Sequence, residues 1–131
     1  MKYLMLAYTN ATAWQDAVAN YEPGAPLPPD VQAACDFFGQ LGKELTESGE
    51  FVSTEGLADP SHTKTIRKQV AGPPEVTDGP FAEGKEVLAS YAILDCESYD
   101  RAVEIGARIA DAVGDTIEIR PIMDAFGAPD L

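Results

Sequence analysis

Hydrophobic residues recur along the chain with two periods, one typical of strands and the other of helices. Residues 2–8 are apolar at nearly every position, which predicts a first strand covered on both faces. Helices can supply one cover, and in so short a chain a second subunit is a natural candidate for the other. The last strand, residues 116–122, instead alternates, with Ile117 and Ile119 on one face and Glu118 and Arg120 on the other. If the helices cover the isoleucines, the opposite sheet face is expected to be an oligomer interface or a binding cleft.

Helical spacing appears in three segments. Residues 12–21 predict a short helix, with Thr12 and Gln15 in capping-box spacing, before the proline-rich loop 22–29. A long helix is expected from Pro28 or Asp30 to Ser48, and its apolar stripe is Val31, Ala34, Cys35, Phe38, Leu41 and Leu45. Another helix is expected after a Ser98 cap, ending at Gly114, with the inward residues Ala102, Ile105, Ile109 and Val113.

The remaining apolar runs predict further strands. Residues 51–57 and 63–71 are interpreted as a hairpin around Asp59-Pro60-Ser61, and residues 88–95 form the next strand. The resulting order predicts an α+β, ferredoxin-like (split βαβ) fold with an antiparallel sheet and both long helices on one face. A chain of 131 residues, 45% hydrophobic, is expected to form one domain over residues 1–131.

Composition restricts the classes of partner. A net charge of −13 and a pI near 4.2 disfavour nucleic acid and anionic lipid, while permitting a basic protein partner. No apolar run approaches the roughly 20 residues of a membrane span, and the N-terminal run is interpreted as a strand, not a signal peptide. Cys35 and Cys96 lie far apart in the chain, so we expect two free thiols in a reducing cytoplasm, with Cys35 in helix packing.

Residues 76–86, Val-Thr-Asp-Gly-Pro-Phe-Ala-Glu-Gly-Lys-Glu, resemble the motif that names the DGPF branch of the YCII-related domain family. The resemblance extends over nearly the whole chain, through the Lys-Tyr-Leu-Met-Leu strand, Trp14, Glu55-Gly56-Leu57, Thr65 to Arg67 and Ile117 to Pro121. It implies a bacterial, cytoplasmic homodimer, an α+β barrel of two ferredoxin-like protomers, often encoded near extracytoplasmic-function sigma factors. It implies no established activity.

Two departures from the family pattern affect this picture. Gly72-Pro73-Pro74 interrupts the plain hairpin before the motif, which leaves strand pairing before Thr77 open. Ala89-Ser90 replaces a common glycine pair and could narrow the space beside Tyr91. Some relatives use a histidine-aspartate pair, but no matching histidine motif occurs here, and that role is not transferred to His62.

The motif itself has a structural and a catalytic interpretation. Asp78, Gly79 and Pro80 are the residue types of a tight turn that Phe81 could anchor, and this outweighs a catalytic role for Asp78. Glu83, with the charged residues after it, could contact a ligand, although such a run is usually a solvated surface. Trp14 and Phe81 could wall a pocket for an aromatic or apolar ligand, or belong to the core.

Strand parity brings a second set of candidates to the face opposite the helices. Glu55, Glu118 and Arg120 could bind an anionic ligand there or form an ion pair that stabilises a dimer. Tyr91 could offer its hydroxyl on the same face, although packing is the more frequent fate of a strand tyrosine.

Motifs for other chemistry are absent from the sequence. His62 is the single histidine, so neither a catalytic triad nor a histidine-rich metal site is expected. No nucleotide-binding or calcium-binding loop occurs, and no cofactor is expected. Two functions remain: a small-molecule-binding or accessory protein, and a cofactor-independent lyase or isomerase acting on a small organic acid. The second would use Asp78 or Glu118 as base, Arg120 as anion clamp and Tyr91 as proton donor.

Overall fold

A computed structural model of the protein describes residues 1–80 and 84–124, without the side chain of residue 18. Within these residues the chain forms three α-helices, a short 3-10 turn at Pro60–His62 and six strands. The helices are α1 Ala11–Ala19, α2 Pro29–Ser48 and α3 Tyr99–Val113. The strands are β1 Lys2–Asn10, β2 Phe51–Gly56, β3 Lys64–Arg67, β4 Glu75–Asp78, β5 Glu86–Asp95 and β6 Thr116–Pro121.

Four strands form the main sheet, in the order β2-β5-β1-β6, and every neighbouring pair is antiparallel. Helix α2 leads from β1 to the edge strand β2, and α3 leads from β5 to the other edge strand β6. This interleaving of two β-α-β halves is the ferredoxin-like arrangement. The predicted fold class is therefore confirmed.

The core lies between the main sheet and helices α2 and α3. Every second side chain of β1 and β5 points into this core, and α2 and α3 contribute their apolar stripes to it. The fully enclosed members are Tyr3, Met5, Leu41, Leu45, Leu94, Cys96, Ala102 and Ile105. The cap predicted for α3 is also present, because the Ser98 hydroxyl accepts a bond from the Arg101 backbone N–H at 3.1 Å.

The predicted hairpin between residues 51–57 and 63–71 is wrong. Strand β2 pairs with β5 instead, and β3 pairs with β4 in a separate two-stranded sheet. Pro60–His62 form a 3-10 turn that Asp59 caps, in place of the expected hairpin turn. Pairing also exists before Thr77, since Val76 lies opposite Ile66 across the Gly72-Pro73-Pro74 connection.

Two helix details also differ from expectation. Helix α1 begins earlier than predicted, and its cap is Asn10, whose side-chain oxygen accepts the Ala13 N–H at 3.0 Å. Cys35 is exposed although it lies on the apolar stripe of α2, and Phe38 is 45% exposed. The first half of α2 thus presents apolar residues that the rest of the protomer does not cover.

No helix in the described part of the chain is long and apolar enough to cross a membrane.

Candidate functional site

The sheet face turned away from the helices gathers four of the predicted site residues. We call it the open face, and its members are Leu4, Leu6, Tyr8, Glu55, Tyr91, Ile93, Glu118 and Arg120. Tyr91 lies opposite both Leu6 and Glu55, and Glu118 lies opposite Leu6 on the other side. Leu4 is likewise flanked by Ile93 and Arg120. The open face therefore combines an apolar centre with ionic and phenolic groups.

Tyr8 is a functional candidate that the sequence interpretation missed. Its hydroxyl donates a hydrogen bond to Oε1 of Glu118 at 3.3 Å. Burial raises the pKa of Tyr8, and the negative charge of Glu118 raises it further. The phenol is therefore kept protonated and acts as a donor. Alternation along β1, which puts residue 8 in phase with Leu4 and Leu6, was the available signal.

Asp78 lies elsewhere, at the end of β4 in the two-stranded sheet. Its carboxylate is paired with the ammonium group of Lys64 on β3, and both side chains are mostly exposed. The next residue, Gly79, has a φ of 96° and donates its N–H to the Thr63 carbonyl at 2.8 Å. The Thr65 hydroxyl donates to the Gly79 carbonyl at 2.8 Å, so this part of the motif is a bonded turn. Phe81 and Glu83 lie outside the described residues.

Trp14 borders a cavity of about 270 Å³, which we call the Trp14 cavity. The cavity lies between α1, the 3-10 turn and the described ends of the motif, and it is lined by Ala11, Trp14, Gln15, Asp59, Pro60, Ser61, Pro80, Gly84 and Val87. The Ala11 N–H donates to the Lys85 carbonyl at 2.7 Å, which ties α1 to the end of the motif. Trp14 therefore stands beside the motif, as a pocket-wall role requires.

The polar groups of the Trp14 cavity are not fully satisfied. The indole Nε1 of Trp14 is shielded from solvent and has no hydrogen-bond partner of acceptable geometry in the described residues. Asp59 lies near it, with a carboxylate that accepts the Ser61 N–H at 2.8 Å. That bond is the main cause of a lowered Asp59 pKa, to which His62 and Trp14 contribute less. The indole N–H therefore lies close to the ionised Asp59 carboxylate, and this proximity helps to lower the Asp59 pKa.

Metal and thiol chemistry have little support in this part of the molecule. Residues 1–80 and 84–124 contain no group of three His, Cys, Asp or Glu residues placed to hold a metal ion. The Cys96 thiol is enclosed in the core, and burial raises its pKa, which keeps it protonated. The described residues offer groups for hydrogen bonding, charge pairing and proton transfer.

Comparison with known proteins agrees with the resemblance at the level of the family. A family model for the YCII-related domain matches residues 1–125. An uncharacterized protein of Rhizobium meliloti (strain 1021) is 33% identical over 82 residues, which are 61% of this chain and 65% of that protein. The match therefore spans a little under two thirds of the relative's length. Because the family model covers nearly the entire sequence, the chain belongs to the YCII-related domain family.

Proposed function

We propose that the chain is a small-molecule-binding or accessory protein that works as a homodimer. The observation that carries the binding proposal is a cavity of about 270 Å³ that Trp14 and Pro60 wall beside the ionised Asp59 carboxylate. A ligand in this cavity would stack on the indole and pair a donor or positive charge with the carboxylate. The indole and Pro60 favour a planar ligand, and the ionised Asp59 favours a neutral or cationic one.

The single tryptophan gives this proposal a direct readout, because the fluorescence of the protein comes chiefly from Trp14 at the cavity wall. A screen of neutral and cationic heteroaromatic compounds should find some that change this emission and raise the melting temperature. For such a compound, calorimetric titration of Trp14→Phe should show about tenfold weaker binding, since the smaller ring offers less stacking surface.

The matched control is Tyr8→Phe, which also removes one aromatic donor but lies on the open face. It should bind the same compound as tightly as the wild type. Equal binding by Trp14→Phe, or a screen without any ligand, would contradict the proposal.

The homodimer is proposed to form through the open face, giving the α+β barrel that the resemblance implies. Leu4, Leu6 and Ile93 are apolar and only half-buried in the protomer, and covering them would remove apolar surface from water. Glu55, Tyr91, Glu118 and Arg120 would then line the space between the protomers, apart from the Trp14 cavity. Light scattering should give twice the protomer mass for the wild type and the protomer mass for Leu6→Lys.

A partner among extracytoplasmic-function sigma factor systems, in the cytoplasm, is a further part of the proposal. It rests on the resemblance and on a net charge of −13, which suits a basic partner. Mixing the purified protein with the sigma factor encoded nearest its own gene should give a complex that weakens with added salt. Lack of a complex at low salt would contradict this partner.

A cofactor-independent lyase or isomerase is the second candidate function. The Tyr8 to Glu118 hydrogen bond favours it, because a carboxylate, a phenol and Arg120 share one face of the sheet. Tyr91 would donate the proton and Arg120 would hold the carboxylate of a small organic acid. Asp78 is the alternative base, so Glu118→Gln and Asp78→Asn should differ in turnover of any substrate found. Unchanged turnover in both, and in Arg120→Ala, would reject this function.

A further inference from the structure

A second cavity, of about 330 Å³, lies on the opposite side of the main sheet from the open face. We call it the inter-helix cavity, because α2 and α3 form its walls. Its floor consists of small residues on neighbouring strands, Ala7 on β1 with Ser90 and Ala92 on β5. Large apolar side chains surround this floor, among them Phe38, Leu41 and Ile109. The lining thus combines small residues of the sheet with large apolar side chains.

The chemistry of the inter-helix cavity is almost entirely apolar. Its lining includes no charged residue. Three lining residues carry a hydroxyl group, Thr54, Ser90 and Tyr91. Thr54 donates to the Tyr91 carbonyl at 2.9 Å, and strand parity places the Tyr91 phenol on the open face. Ser90 forms no side-chain hydrogen bond within residues 1–80 and 84–124, so its hydroxyl is the one available to a ligand. An ion would lose its hydration here without gaining a partner of opposite charge. A neutral molecule with few polar atoms matches this lining.

The size and opening of the cavity also suit a small ligand. Ligand sites commonly have volumes of about 300–1,000 Å³, and a sealed apolar cavity of about 150 Å³ is enough to hold benzene. Phe38 and Phe51 both line the inter-helix cavity, and they are 45% and 37% exposed. Exposed phenylalanines at the rim mark the side from which a ligand can enter.

We propose that the inter-helix cavity binds a neutral, largely apolar molecule of one or two rings, or an aliphatic chain of similar volume. One polar atom of that molecule would bond to the Ser90 hydroxyl. This site lies on the helix side of the sheet, shares no lining residue with the Trp14 cavity, and shares only Tyr91 with the open face. Ligand binding at this site does not depend on the function proposed above.

The neutral fluorophore N-phenyl-1-naphthylamine is a suitable probe, because its emission rises when it leaves water for an apolar site. Glycine substitutions in α2 provide a matched pair of variants. Gly42 lines the cavity and Gly39 does not, and no atom lies within 4 Å of a Cβ built at either position. Gly42→Leu should therefore fill the cavity, whereas Gly39→Leu makes the same chemical change outside it.

The wild type and Gly39→Leu should bind the probe with similar affinity, and Gly42→Leu should bind it at least tenfold more weakly. Ala92→Leu, which fills the cavity from the sheet, should reproduce the loss if Gly42→Leu fails to fold. Absence of probe binding in the wild type, equal binding by the filled variants, or equal loss in Gly39→Leu would overturn the proposal.

Two further variants separate this site from the others. Trp14→Phe should leave probe binding unchanged, so a defect at the Trp14 cavity and a defect here are measured independently. Leu6→Lys, which alters the open face, should also leave it unchanged. Loss of binding in Leu6→Lys would assign the probe to the face between protomers and overturn the proposal.

Discussion

Among single residues, Glu50 and Arg101 form the ion pair most protected from water in the described part of the chain. The guanidinium donates from Nε to Oε2 at 2.8 Å and from Nη2 to Oε1 at 3.0 Å. The two side chains are 14% and 22% exposed. Bonding to Arg101, assisted by Ser48, lowers the pKa of Glu50 from 4.5 to about 2. The pair joins the start of β2 to the first turn of α3, and so fixes one end of the helical layer against the sheet.

We predict that this pair makes stability depend on pH in the acidic range. Because the folded-state pKa lies below the unfolded one, the stabilisation is complete above about pH 4.5 and is lost as the pH falls towards 2. Glu50→Gln should lower the free energy of unfolding at neutral pH by about 1–2 kcal/mol, after allowance for solvent screening. Urea unfolding from pH 7 to pH 2 measures both effects.

The matched control for this prediction is Glu44→Gln. Glu44 also forms a two-bond pair, with Arg108, but its side chain is 43% exposed and water screens the interaction. Glu44→Gln should therefore cost less stability than Glu50→Gln. A larger loss in Glu44→Gln, or an acid transition unchanged in Glu50→Gln, would show that the Glu50 pair is not the main acid-sensitive contact.

The alternation of side chains along the predicted strands identified some candidate site residues and missed others, for physical reasons. Glu118 and Arg120 could be placed because β6 alternates strictly and its isoleucines identify the helix side. Tyr8 was harder to identify, since β1 is apolar on both faces. In such a strand, alternation alone does not distinguish a functional side chain from a packing one. Asp59 could be recognised as a turn residue, but its proximity to Trp14 depends on how α1 packs against a distant loop.

At the scale of whole elements, two helical glycines make opposite demands on packing. A Cβ built on Gly106 of α3 would lie 2.9 Å from Cδ1 of Ile119 and 3.3 Å from Cγ2 of Ile117. Gly106 thus lets α3 approach β6 closely. A Cβ at Gly42 of α2 would contact nothing within 4 Å, because that position borders the inter-helix cavity.

We therefore predict opposite signs for the same substitution in the two helices. Alanine is favoured over glycine in a helix by about 1 kcal/mol, so Gly42→Ala should stabilise the protein by up to that amount. In Gly106→Ala the same gain is opposed by overpacking worth about 1–3 kcal/mol, and the expected net result is destabilisation by about 1 kcal/mol. Thermal and urea unfolding measure both variants. Equal stabilisation would mean that Ile119 moves aside without cost.

Most element types were predictable from local pattern, whereas strand β4 and the pairing partners were not. The segments that become β2, β3 and β5 were each recognised as strands, yet the partner of β2 lies more than thirty residues away. Opposite charges placed across β3 and β4, Lys64 with Asp78 and Arg67 with Glu75, favour the two-stranded sheet that replaced the expected hairpin.

The apolar stripe on α2 correctly predicted that Leu41 and Leu45 are buried. Periodicity does not reveal how far the covering sheet extends along the helix, and so Cys35 was wrongly expected to be buried.

For the whole molecule, the net charge of −13 bears on assembly more than on the fold. Two identical chains repel each other at long range, while the proposed dimer contact through the open face is mainly apolar at its centre. Salt shortens the range of the repulsion, from about 30 Å at 0.01 M to about 8 Å at 0.15 M. Apolar contact is not weakened by this screening.

We predict that the homodimer tightens as salt is added. Between about 0.01 and 0.15 M sodium chloride the dissociation constant should fall by roughly tenfold, which sedimentation velocity over a range of protein concentrations can measure. Leu6→Lys should remain monomeric at every salt concentration. The free energy needed to bury an ammonium group at the centre of the open face exceeds the gain from screening the repulsion between the chains. A dimer that weakens with salt would mean that ion pairs between protomers, through Glu118 and Arg120, outweigh the repulsion of the two chains.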